Sequence, residues 1–86
     1  MPEDLDEETI DALSSETRRE ILKLLKGHEK NPTFIAREVG KHKSTIAEHL
    51  DILREAGLVE KDDEPGRRRT TYSLTRTGER VVAAHP

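Results

Sequence analysis

Cysteine and tryptophan are absent from this chain, and one phenylalanine and one tyrosine are its whole aromatic complement. Without cysteine there is no disulfide and no thiolate metal site. Apolar residues fill only 31% of the 86 positions, so the chain can build one small domain whose modest core gains from a partner subunit. Long apolar runs are missing as well, and the opening MPEDLDEETIDAL lacks the basic flank and apolar stretch of a signal peptide. A cytoplasmic protein with no membrane association is the expectation. No phosphate-cradling glycine loop, HExxH zinc helix or GxSxG elbow is found, so neither an enzyme nor a cofactor is expected.

Positive charge is scarce in one region only. Residues 1–16 hold seven acids and no lysine or arginine, while residues 17–86 hold fifteen bases against eleven acids, so the two parts carry −7 and +4. The overall charge of −3 therefore does not argue against a polyanionic partner. The acidic arm reads equally well as a segment held away from such a partner or as a solvated tail.

The central segment, PTFIAREVGKHKSTIAEHLDILREAGLV, holds the most informative pattern. Ala36, Gly40 and Ile46 are spaced for two short helices crossing steeply: Ala36 allows close approach, Gly40 turns the chain, and Ile46 fills the gap. That is a helix-turn-helix. Its second helix starts at His42, Lys43, Ser44 and Thr45, whose side chains suit hydrogen bonding to base edges and phosphates in a DNA major groove.

The flanking elements follow from capping and periodicity. Ser14 or Ser15 caps a helix to about Lys26, with Ile21, Leu22, Leu24 and Leu25 on its apolar side and Gly27 as its stop. His28 to Pro32 is a connector, and Asn31 or Thr33 caps the next helix, on which Ile35, Ala36 and Val39 share a side. Ile46, Leu50 and Leu53 line a helix from Lys43 to Ala56 that Gly57 ends. Leu58 to Lys61 and Arg68 to Leu74 alternate as strands around the turn Asp62-Asp63-Glu64-Pro65-Gly66, and Thr75 caps a last helix, Arg76 to Ala84. The expected fold is mainly α with a small β-hairpin: an acidic arm or helix over 1–13, a DNA-binding unit over 14–75 and a C-terminal helix over 76–86.

LSSETRREILKLL (13–25), IAREVGKHKSTIAEHLDILREAGLV (35–59) and GRRRTTYSLTRTGERV (66–81) together resemble the winged-helix regulators of the ArsR type. The resemblance covers about four fifths of the chain, and HLDILREAGLV, the Gly-Arg wing and the Leu-Thr-x-x-Gly helix start are its specific parts. It implies a homodimeric transcription regulator, most often a repressor, on a palindromic operator, with the second helix of the motif in the major groove and the wing on the backbone or minor groove. The chain departs from the pattern at Lys41, where an apolar residue is usual, at His42, where serine is common, and at Glu48, where a donor such as arginine is common. It also lacks the cysteines through which many members sense metals.

The expected DNA contacts are thus Thr33, Lys41, His42, Lys43, Ser44, Thr45, Glu48, Arg67, Arg68 and Arg69. Thr33 offers a hydroxyl to a phosphate if it is not simply a cap; Glu48 accepts from a cytosine amino group or pairs with a nearby base. The three arginines repel one another unless an anion is near, although a solvated hairpin tip is the plainer alternative. Tyr72 reads as core under the wing. His42 and His49 lie two helical turns apart, ~10 Å, too far to share one metal ion, and no metal site is expected. His49 reads as a half-buried helix residue whose protonation can tune DNA binding. Leu5, Ile10, Leu13, Val81 and Val82 are left outside the expected core and are assigned to a homodimer interface. Two alternatives remain: a ligand- or metal-responsive sensor of the same fold, and a winged helix that binds protein and not DNA.

Overall fold

A computed structural model describes residues 6–66 and 69–84. Leu5, Arg67 and Arg68 lie outside the described residues. In chain order the elements are α1 (Glu7–Leu13), α2 (Glu16–Leu24), α3 (Pro32–Val39), α4 (Lys43–Glu55), β1 (Val59–Asp62), β2 (Thr71–Leu74) and α5 (Arg76–Ala84).

Short polar side chains set the helix starts. Asp6 accepts from the Thr9 amide at 2.8 Å to cap α1, Ser15 accepts from Arg18 at 3.2 Å to cap α2, and Asn31 accepts from Phe34 at 2.9 Å to cap α3. Asn31 therefore takes the cap that Thr33 could have filled, and Pro32 opens the helix where its missing N–H costs nothing. At the end of α4 the amides of Gly57 and Leu58 donate to the carbonyls of Arg54 and Leu53, both at 2.9 Å, a Schellman closure that requires Gly57 at φ 78°. Leu58 belongs to that closure, and β1 begins one residue later than the alternation predicts.

The core is one cluster in which Ile21 of α2, Leu25 at its C-cap, Ile35 of α3, Ile46, Leu50 and Leu53 of α4, and Leu58 are fully buried. The register Val59↔Leu74, Glu60↔Ser73, Lys61↔Tyr72, Asp62↔Thr71 makes the strands an antiparallel hairpin and turns Tyr72 and Leu74 into the core. A third partner was not expected. Lys30, within the connector, exchanges both backbone hydrogen bonds with Tyr72, at 3.0 and 2.8 Å. A bridge of one residue has no alternation to reveal it.

The start of α5 explains its Leu-Thr-x-x-Gly sequence. The Thr75 hydroxyl donates to the Gly57 carbonyl at 2.6 Å and accepts from the Gly78 amide at 3.0 Å, while the Thr75 amide donates to the Leu58 carbonyl at 3.0 Å. Helix α5 sits so close that a Cβ on Gly78 would collide with the Leu58 carbonyl oxygen. Val81 and Val82 are thereby pressed into the protomer's own core, at 4% and 6% exposure. They were expected outside it; the correction follows from the loss of the Cβ at Gly78, which lets the helix close on the chain.

Candidate nucleic-acid interface

The starts of α3 and α4 differ from those of the other helices. Neither carries an acid in its first turn, whereas α1 has Glu7 and Glu8, α2 has Glu16 and α5 has Glu79 there. Helix α4 has no side-chain cap at all: His42 occupies the position without bonding back. Its first amides and their partial positive charge face outward with Lys43 and Ser44 exposed beside them.

These starts border an open groove of about 670 Å³ lined by Asn31, Pro32, Thr33, Phe34, Arg37, Lys43, Arg69 and Thr70. The groove joins α3, α4 and the returning limb of the hairpin, and gathers Thr33, Lys43 and Arg69, which are far apart in sequence. Arg37 completes it and was missed. It lies four residues after Thr33, one turn along the outer side of α3, and that spacing was the available signal. Half-buried Phe34 supports this wall, with the Arg37 guanidinium carbon 5.8 Å and the Lys30 ammonium 6.0 Å from its ring centre.

A second hollow, of about 400 Å³, lies around the turn of the motif and is lined by Ala36, Arg37, Gly40, Lys41, His42 and Thr45. Arg37 borders both. Ser44 and Glu48 are exposed on the outer side of α4 and line neither hollow. Lys41, Lys43, Arg37 and Arg69 form no ion pair among the described residues, although Lys61 reaches Asp63 at 3.8 Å near the hairpin turn. Unneutralised cations at the start of α4, in the last turn of α3 and on the wing are what a phosphate backbone requires.

Behind this face, Arg18 ties three helices together. Its Nε donates to the Ala12 carbonyl at 2.8 Å, Nη2 to the Asp11 carbonyl at 3.1 Å, and Nη1 meets His49 Nδ1 at 3.1 Å. Burial, and then the Arg18 and Lys41 charges, hold the His49 pKa below its ordinary value of 6.5 against the opposing pull of Glu48. The neighbouring Arg19 donates to the Leu13 carbonyl at 2.7 Å. Sequence spacing gives no sign of this arginine-to-histidine link between α2 and α4.

The sequence profile of bacterial regulatory proteins of the arsR family matches residues 15–61, which run from the cap of α2 into β1. The chain belongs to that family. Among solved structures, HlyU from Vibrio cholerae N16961 is similar at a TM-score of 0.79 and 23% identity over 90% of this chain and 83% of that one. The homodimeric winged helix-turn-helix DNA-binding domain (fragment 1–100) of Mb0332 from Mycobacterium bovis, described as a possible ArsR-family regulator, reaches 0.80 and 29% identity over 90% and 70%. A mutant of Lactococcus lactis ZitR gives 0.75 and 24% over 83% of this chain but 49% of its own, so the chain spans about half of that protein. No curated protein matches the chain by sequence. The family is one of transcription regulators with the winged helix-turn-helix fold, and no helix among the described residues is long and apolar enough to cross a membrane.

Proposed function

We propose that this regulator binds a specific double-stranded operator as a homodimer and represses by occluding a promoter. The observation that carries the reading is the groove in which Thr33 from the start of α3, Arg37 from its last turn, Lys43 from the start of α4 and Arg69 from the wing converge. In this reading α4 enters the major groove with Lys43, Ser44 and Thr45 toward base edges, and Lys41 and His42 approach the backbone at the turn. Thr33 and Arg37 hold one phosphate strand, and Arg69 with Arg67 and Arg68 holds the backbone beside the minor groove. Glu48 accepts from a cytosine amino group or is repelled.

The homodimer is supported by the homodimeric Mb0332 domain and by Ile10, which remains 55% exposed on α1 beside half-buried Leu13. Leu5 is proposed for the same interface from the sequence alone, while Val81 and Val82, buried in the protomer's own core, drop out of it. A two-fold pair of reading helices about one DNA turn apart, ~34 Å, makes the operator an inverted repeat. Selection of bound fragments from a random duplex pool tests the reading. An enriched inverted repeat is the expected result, and a pool that stays random through successive rounds overturns it.

A further inference from the structure

We propose that Arg18 and His49 form a proton-operated latch that positions α1 against the reading helix α4. The inference rests on the DNA-binding reading for its functional consequence, but the latch itself is a property of the free protein. Arg18 can only donate hydrogen bonds, so the His49 Nδ1 that meets its Nη1 at 3.1 Å must accept, and the ring proton sits on Nε2. The same guanidinium holds two carbonyls in the last turn of α1, those of Asp11 and Ala12. One planar group therefore joins the end of α1, the first turn of α2 and the middle of α4.

A proton taken from solvent by Nδ1 consumes the lone pair that accepts from Arg18. Two cations then face each other across the former hydrogen bond, and the guanidinium loses a partner. The charged groups around the ring are Arg18 from α2, Lys41 from the turn before α4 and Glu48 beside it on α4; α1 faces the guanidinium with backbone carbonyls, and its Asp11 side chain is exposed. Two cations against one carboxylate oppose the proton, and burial adds to them. Because α1 carries Ile10, release of the latch loosens the proposed dimer surface and the seat of α4 together.

The sign follows from linkage. The folded pKa of His49 lies below the unfolded value of 6.5, so its contribution to stability is complete above 6.5 and is lost as pH falls from there to the folded pKa. Nuclear magnetic resonance on the full chain tests the latch between about pH 8 and about pH 5, across the range in which histidine changes charge. His49 should show the Nε2–H tautomer at the upper end, and the exchange protection of the Thr9 and Ala12 amides should fall in the same step in which His49 titrates. His49→Gln, whose carbonyl accepts from Arg18 without titrating, should keep α1 protected throughout, and Arg18→Gln should leave α1 poorly protected at every pH. On a selected duplex the wild type should lose roughly fivefold more affinity on acidification than His49→Gln. Undiminished α1 protection while wild-type His49 titrates, or the same loss in His49→Gln, overturns the latch; the wild-type titration decides even if a variant does not fold. Absence of any duplex binding at the upper pH instead overturns the DNA-binding reading and leaves the α1 measurement standing.

Discussion

The two sides of α4 use arginine in opposite ways. On the inner side Arg18 spends its donors on two backbone carbonyls and a histidine ring, and becomes part of the fold. On the outer side Arg37 and Arg69 border an open groove and form no ion pair among the described residues, with Lys43 between them. The helix ends repeat the contrast: α1 and α2 are capped by their own side chains and carry acids in the first turn, whereas α4 starts uncapped and without acid. A cation already bonded internally has little to offer a ligand. A cation at an uncapped helix start, which no acid among the described residues reaches, has its electrostatic demand still unmet.

Substitutions can break this contrast, and the largest effects should fall on the inner side. Val81→Asp should abolish folding or cost about 4 kcal/mol or more in urea unfolding, because it leaves an unpaired charge in the core. Gly78→Ala should cost about 1–3 kcal/mol by overpacking against the Leu58 backbone, since neither α5 nor the strand entrance can yield easily.

On the outer side, Lys43→Ala should leave unfolding unchanged and cost about 1–3 kcal/mol on the selected duplex, with a much smaller loss on random duplex, as read by fluorescence anisotropy. Equal losses on both would make Lys43 a backbone contact. Ile10→Asp should shift unfolding by no more than about 0.5 kcal/mol, while sedimentation should show a lower dimer fraction. A wild type that stays monomeric at tens of micromolar, with and without duplex, would defeat the dimer.

Local chemistry made much of the fold legible. Gly27, Gly40, Gly57 and Gly66, each a predicted stop or turn, all have positive φ, and Ser15, Asn31 and Thr75 cap as their positions suggest. What escaped depended on distance through space. The Lys30–Tyr72 bridge and the Arg18–His49 bond join residues 42 and 31 positions apart with no periodic trace. Val81 and Val82 were misplaced because their burial depends on a missing Cβ at Gly78. For the candidate site, the polar start of α4 was readable, but the groove that unites Thr33, Arg37, Lys43 and Arg69 exists only after folding.

The salt dependence of duplex binding tests the central claim most directly. The logarithm of affinity should be measured against the logarithm of salt concentration for the wild type and for the triple variant Arg37→Ala, Lys43→Ala, Arg69→Ala. If Arg37 and Arg69 each meet a phosphate in both protomers while Lys43 reads a base edge, the triple variant should remain folded and show a slope shallower by ~4. A folded triple variant with the wild-type slope would remove the groove from the DNA interface and contradict the account.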